Sequence, residues 1–74
     1  MNDAVDRIRS FPLGTRVVIR YVHGDGATDA LGELVALDAG SATVRTRRGD
    51  AVVALSDVLL AKEVPPPPAP RPRR

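Results

Sequence analysis

The sequence predicts an all-β domain, a small barrel of five short strands, from two observations. Between residues 13 and 64, β-branched and polar residues alternate in short runs, as they do in strands with one buried face. Clusters of glycine, aspartate and serine interrupt these runs about every six to twelve residues, a spacing typical of small sandwiches and barrels. Closure into a barrel removes exposed strand edges and pools the apolar side chains of a domain this small.

The alternation of apolar residues places the strands along the chain. We expect strands over residues 15–22, 31–38, 42–48, 51–55 and 58–64. Residues 23–30, which contain two glycines and two aspartates, are predicted to form a loop. A two-residue turn at Gly49-Asp50 joins the third and fourth strands, and Ser56-Asp57 forms a single 3₁₀ turn before the last strand.

The inward positions of these strands define a candidate core of aliphatic side chains. They are Val17, Ile19, Val35, Leu37, Val44, Val53 and Leu55. Leu31 falls in the same phase as Val35, although Glu33 interrupts that face. Gly32, inside a strand, indicates a bulge or the close approach of another backbone segment.

The two ends of the chain differ in composition from the barrel at residues 13–64. Residues 1–12 form an N-terminal segment in which Asn2 can cap a short helix over residues 2–9. Only three residues of that helix are apolar, so we expect it to fray or to become ordered on docking. Residues 65–74 contain six prolines, a composition that favours a stiff polyproline linker or tail.

The positive charge of the chain is concentrated in this tail. The whole sequence has a net charge of +2, but residues 1–64 carry eight Lys and Arg against nine Asp and Glu, a net charge of −1. The candidate basic tail consists of Arg71, Arg73 and Arg74. Because nucleic-acid-binding domains normally carry their basic excess on the folded surface, we expect any nucleic-acid binding to be weak and to depend on the tail.

A second group of arginines lies on the predicted outward faces of the first and third strands. This candidate interaction surface consists of Arg16, Arg20, Arg45 and Arg47. If the two strands are neighbours, the four guanidinium groups form a stripe that can contact phosphate or an acidic partner. The alternative is that they are ordinary outward residues, paired across strands with Asp or Glu.

The composition excludes several classes of function. The chain has no cysteine and one histidine, so it offers no thiolate zinc site, and we assign no catalytic, cofactor-binding or metal-binding residue. No apolar run approaches the length of a membrane span, and the N-terminus lacks the features of a signal peptide, so we expect a cytoplasmic protein. With Phe11 and Tyr21 as its only aromatic residues, the chain lacks the platform that proline-peptide readers and base-stacking domains use.

Four sequence motifs resemble a known module. They are G-x-R-V-V-x-R-Y at residues 14–21, T-D-A-L-G at 28–32, V-R-T-R-R-G at 44–49 and D-V-x-x-A-K-x-V-P-P at 57–66. Over residues 13–66 the chain resembles the SH3-like barrel at the amino terminus of actinobacterial GNAT-family acetyltransferases, including the histone acetyltransferase-like ones. In that family the catalytic domain follows the barrel across a proline-containing junction, which corresponds to the segment that begins at Pro65.

The resemblance implies a non-catalytic accessory domain with an SH3-like fold. Its partner would be a GNAT catalytic domain in the same polypeptide, or another protein. The acetyl-CoA loop of the GNAT fold, (Q/R)-x-x-G-x-(G/A), has no match in this sequence, so no catalytic residue carries over and acetyl-CoA is implied only for a following domain. The alternative is a free-standing protein that binds nucleic acid or an acidic partner through the arginine stripe and the tail.

Overall fold

The computed structural model describes residues 3–65 of the chain. Its elements are α1 (Asp3–Ser10), β1 (Arg16–His23), β2 (Gly26–Leu37), β3 (Ser41–Thr46), β4 (Gly49–Ala54), a 3₁₀ turn (Leu55–Asp57) and β5 (Val58–Glu63). All five strands belong to one antiparallel sheet in the order β4-β3-β2-β1-β5. The predicted all-β domain of five strands is therefore confirmed, as is the 3₁₀ turn before the last strand.

The first two strands form a long hairpin where the sequence analysis placed a loop. Their ladder continues to the pair His23–Gly26, so the loop prediction for residues 23–30 is wrong. The turn consists of Gly24 and Asp25, and Gly24 has a φ of +58° whereas no described non-glycine residue has a positive φ. This pattern is that of a type II′ turn, in which glycine occupies the first central position.

The inward face of β2 differs from the prediction. Its buried residues are Ala30, Gly32 and Leu34. Leu31 instead points outward and is 46% exposed. Residues two apart in a strand lie on the same face, so Leu31 shares the outward face with Glu33. A register shift against β3 follows Leu34, so Val35 and Leu37 are only half-buried and do not belong to the fully buried core.

The core is composed entirely of aliphatic side chains. Five of the predicted core residues are buried, namely Val17, Ile19, Val44, Val53 and Leu55. The other buried hydrophobic residues are Ile8, Ala30, Leu34, Ala42, Val58 and Ala61. No polar or charged side chain is buried within residues 3–65, so packing alone holds this interior together.

Helix α1 contributes more to the core than its composition indicates. Asn2, the predicted cap, lies outside the described residues, and α1 begins at Asp3. Ile8 is completely buried, and Ala4 and Val5 pack against the core from the same face of the helix. Helix α1 lies against β5 and covers apolar surface there.

Gly32 lies where the backbones of β2 and β3 approach closely. A Cβ atom at this position would overlap the backbone carbonyl of Arg45 and would also crowd Thr46. Backbone atoms cannot swing away as the end of a flexible side chain can. The close approach predicted from the sequence is therefore confirmed, and it requires glycine.

The connection between β2 and β3 is held by the Asp38 carboxylate. Its Oδ1 accepts hydrogen bonds from the backbone N–H of Gly40 at 3.0 Å and of Ser41 at 2.9 Å, and the Ser41 hydroxyl donates to the same carboxylate. These hydrogen bonds, that from Gly40 first, hold the pKa of Asp38 below its ordinary value although the carboxylate is exposed. The tight connection predicted between these strands is thus a turn built around one side chain.

The turn between β3 and β4 lies two residues earlier than predicted. Arg47 and Arg48 form the turn, whereas Gly49 and Asp50 already belong to β4. The Thr46 hydroxyl donates to the Gly49 carbonyl at 2.7 Å and accepts from the Arg48 N–H at 3.1 Å. Gly49 has a φ of +117°, a value that favours glycine. The chain therefore needs glycine at the first residue after the turn rather than within the turn.

We expect Ile8→Ala to lower the free energy of unfolding by about 2–4 kcal/mol, because it removes buried methyl groups and leaves a cavity beside β5. Leu13→Ala is the matched control, since Leu13 is 62% exposed and should change stability little. Urea unfolding followed by circular dichroism measures both. Equal stability of the two variants would show that α1 does not contribute to the core in solution.

We expect Gly32→Ala to lower the free energy of unfolding by about 3 kcal/mol, because the new Cβ forces the backbones of β2 and β3 apart. Gly26→Ala lies in the same strand, with open space around its Cβ and no positive φ, and should be nearly neutral. Thermal unfolding of the two variants tests the close approach. A Gly32→Ala protein as stable as Gly26→Ala would contradict it.

We expect Asp38→Ala to lower the stability of the fold at neutral pH. The stability of this variant should also depend less on pH than that of the parent chain. A carboxyl group whose pKa is lower in the folded state stabilises that state above its unfolded pKa, near 3.8, and this contribution disappears as the pH falls through the folded pKa. The stability difference between the parent chain and Asp38→Ala should therefore shrink below pH 3.8. Melting temperatures measured between neutral pH and about pH 2 check this; a difference independent of pH would contradict it.

Candidate interaction surfaces

The four arginines of the predicted stripe do not form a continuous basic surface. Strand β2 lies between β1 and β3, so the strands that carry these arginines are not neighbours. The order β1-β2-β3 follows from consecutive hairpins, a signal already present in the short connections of the sequence. Strand order therefore decides how these arginines are arranged on the surface.

Carboxylates separate the arginines along one row of the sheet. Arg16 lies opposite Glu33, which lies opposite Arg45, which lies opposite Asp50. The Arg45 Nε atom is 3.7 Å from the Asp50 Oδ1 atom. Positive and negative side chains thus alternate across four strands. This arrangement is the alternative to a basic stripe, in which outward arginines pair across strands with Asp or Glu.

The third strand-borne arginine of the predicted stripe, Arg20, has its own carboxylate partner. Its Nε atom donates a hydrogen bond of 3.1 Å to the Oδ1 atom of Asp29, which lies directly opposite it on β2. Both side chains are about half exposed, so in solution the pair contributes at most about 1 kcal/mol. The guanidinium is nonetheless locally neutralised and held against the sheet.

Two of the described arginines that have no ion pair lie side by side at the turn after β3. Arg47, which was expected on a strand face, lies in this turn beside Arg48, and both are exposed. They border an open groove of about 830 Å³ that also contains Arg16, Tyr21 and several carboxylates. The tail residues Arg71, Arg73 and Arg74 lie outside the described residues.

This groove is poorly suited to nucleic acid. Its walls include Asp29, Glu33 and Asp50, which repel a polyphosphate backbone. Tyr21 is its only aromatic side chain, and the Tyr21 ring makes an edge-to-face contact with His23 at 6.3 Å between centroids. Base stacking therefore has one half-buried ring available.

The outer face of β5, β1 and β2 is an aliphatic surface that the sequence analysis missed. Leu60, Val22 and Leu31 are 51%, 44% and 46% exposed, one on each of the three strands. They surround the Arg20–Asp29 pair, because Leu60 lies opposite Arg20 while Leu31 and Val22 lie one outward position away. We call this surface the aliphatic face. The signal for it was Glu33, whose outward position requires Leu31 to point outward as well.

Among residues 3–65, no group of three or more His, Cys, Asp or Glu side chains is arranged to hold a metal ion. His23 lies exposed at the end of the β1–β2 hairpin. Within the same residues, no helix has the length and apolar character needed to cross a membrane.

Comparison with known proteins places the fold in a family. Residues 11–62 match the family described as the Rv0428c N-terminal Sm-like domain. No curated protein and no solved structure matches the chain. An Sm-like domain is a small barrel-like β-fold rather than a known enzyme fold, and it suggests an interaction module. None of these findings links the chain to an acetyltransferase, so that part of the resemblance stays a prediction. The match spans most of the chain, which therefore belongs to the Rv0428c N-terminal Sm-like domain family.

Proposed function

We propose that this Sm-like domain is a non-catalytic interaction module that binds protein through the aliphatic face. We further propose that its partner is a GNAT-type acetyltransferase catalytic domain in the same polypeptide. The observation that carries the proposal is the exposure of Val22, Leu31 and Leu60 around one ion pair on three adjacent strands.

The chemistry of the aliphatic face favours a protein partner. Aliphatic side chains gain free energy from burial against another apolar surface, whereas nucleic acid offers mainly phosphate and base edges. Arg20 lies at the centre of the face, and its guanidinium already has a carboxylate partner in Asp29. A protein that covers the face therefore buries a charge that is paired in advance, which lowers the cost of desolvating it.

The path of the chain favours a partner domain in the same polypeptide. Strand β5 supplies Leu60 to the face and leads directly to Pro65, while the Val64 N–H donates to the Arg16 carbonyl and ties the exit to β1. The sequence from Pro65 onward is rich in proline, a composition typical of semi-rigid spacers between domains. A domain joined by such a spacer is delivered beside the strands that carry the face, and the sequence resemblance names GNAT catalytic domains as its class.

The alternative of a free-standing nucleic-acid-binding protein has less support. Arg20 and Arg45 are paired with Asp29 and Asp50, and the groove beside them carries carboxylates and one aromatic ring. What remains for this alternative is the turn at Arg47-Arg48 and the basic tail. Electrostatic contacts of that kind are insensitive to sequence and are lost as salt increases.

The proposal predicts that lysine on the aliphatic face weakens binding to the catalytic domain. The reading frame beyond residue 74 is cloned, the domain it encodes is expressed separately, and its affinity for this chain is measured by calorimetry. Leu31→Lys and Leu60→Lys should each weaken binding about tenfold or more, because they place an unpaired charge in an apolar interface. Val52→Lys alters an aliphatic residue on β4 that is 69% exposed and lies outside the aliphatic face, and it is the control.

The outcomes separate the two parts of the proposal. Equal effects of all three substitutions, with each variant folded by circular dichroism, would remove the aliphatic face from the interface. A reading frame without a GNAT domain would overturn the choice of partner. Nucleic-acid binding that stays as tight when residues 65–74 are deleted would favour the alternative function instead.

A further inference from the structure

Strand β4 presents an open edge with few of the features that usually prevent pairing. It pairs with β3 over six consecutive residue pairs without a register shift, and with no other described strand. Natural edge strands are commonly protected by charge, proline or a bulge. Strand β4 contains no proline and no bulge, and its one charged residue, Asp50, lies near its start. Val52, which points outward, is 69% exposed, more than any other large hydrophobic residue of the described chain.

The backbone of this edge is arranged to accept another strand. Hydrogen-bonded and non-hydrogen-bonded pairs alternate in an antiparallel ladder. The Leu55 N–H donates to the Gly40 carbonyl, which fixes the phase of that alternation. The backbone groups of Gly49, Ala51 and Val53 are therefore directed at β3, and those of Asp50, Val52 and Ala54 are directed at the open edge.

The opposite edge of the sheet is protected. Strand β5 carries Lys62 and Glu63 near its end, and helix α1 packs against it. Those charged side chains and the helix are the devices that keep an edge unpaired. Of the two edges of this sheet, β4 is the one open to a further strand.

We propose that β4 pairs antiparallel with β4 of a second copy of this chain, with Val52 on the twofold axis. In this register Val52 lies opposite the partner's Val52, and Asp50 lies opposite the partner's Ala54. The residues with free backbone groups then face one another, forming about six hydrogen bonds. The two Val52 side chains, both on the outer face, bury each other's methyl groups.

The charges at the ends of β4 complement one another in the same register. Arg47 and Arg48 precede β4, whereas Asp57 lies in the 3₁₀ turn that follows it. All three are exposed and have no ion pair among the described residues. The twofold axis brings Arg47 and Arg48 of one copy beside the partner's Asp57. By symmetry the same contact forms a second time with the two copies exchanged. A self-complementary patch of this kind fits a closed dimer rather than an open chain.

The dimer is independent of the proposed function. Strand β4 lies at one edge of the sheet, and the aliphatic face is formed by β2, β1 and β5. Pairing through β4 therefore leaves the aliphatic face uncovered. Two such domains would present two aliphatic faces from one continuous sheet.

Sedimentation velocity over a wide range of protein concentration tests the dimer. The unmodified chain should pass from monomer to dimer, and Val52→Lys should weaken the dimer about tenfold or more because two like charges meet on the axis. Leu59→Lys is the control, since Leu59 is 55% exposed on β5 and should leave the dimer unchanged. A chain that stays monomeric at millimolar concentration, or that forms species larger than a dimer, would overturn the proposal.

Charge reversal tests the register independently of Val52. Arg47→Asp and Asp57→Arg should each weaken the dimer several-fold, and the protein with both substitutions should recover most of the lost affinity because opposite charges meet again. These residues are exposed, so folding should survive in every variant, as thermal unfolding will verify. Failure of the double substitution to recover affinity would rule out this register.

Discussion

The fold depends on the absence of a side chain at Gly32. There the backbone of β2 passes so close to the Arg45 carbonyl of β3 that no Cβ atom fits. The same stretch of β2 carries core residues on its inner face. The buried residues on either side of Gly32, Ala30 and Leu34, lie beside their cross-strand neighbours Ile19 and Val44. A domain of this size has little stability to lose, so the closeness of the two backbones is a condition for the rest.

Much of this architecture was predictable because strands with one buried face carry a period of two. Five core residues and the last strand follow from that alternation, and the 3₁₀ turn follows from Ser56-Asp57. Two of the wrong predictions occur at turns, where backbone geometry rather than this alternation determines the structure. The polar residues at the end of the β1–β2 hairpin resemble a loop in composition, although a type II′ turn needs only Gly24 and Asp25. At the turn between β3 and β4, Gly49 is required after the two arginines, so the glycine signal lies outside the turn it marks.

Surface features were harder to predict because they depend on neighbours that lie far apart in sequence. The outward direction of Arg16, Arg20 and Arg45 follows from the sequence pattern, but the carboxylates opposite them appear only once the register is known. The burial of Ile8 likewise depends on apolar surface beside β5 that helix α1 covers. Leu31 shows the reverse case, since a single acidic neighbour at Glu33 was a better guide to its direction than its own hydrophobicity.

The alternating row of Arg16, Glu33, Arg45 and Asp50 also bears on how this domain can change during evolution. Each inner member of the row has an opposite charge on both sides, so reversal of one charge creates two repulsive contacts at once. A second reversal at the end residue beside it removes one of these contacts, whereas a second reversal at the other inner residue creates a new repulsive contact with the far end of the row. Reversal of an inner charge is therefore tolerated best together with reversal of the end residue next to it. The row constrains the sequence across four strands, although none of its members belongs to the core.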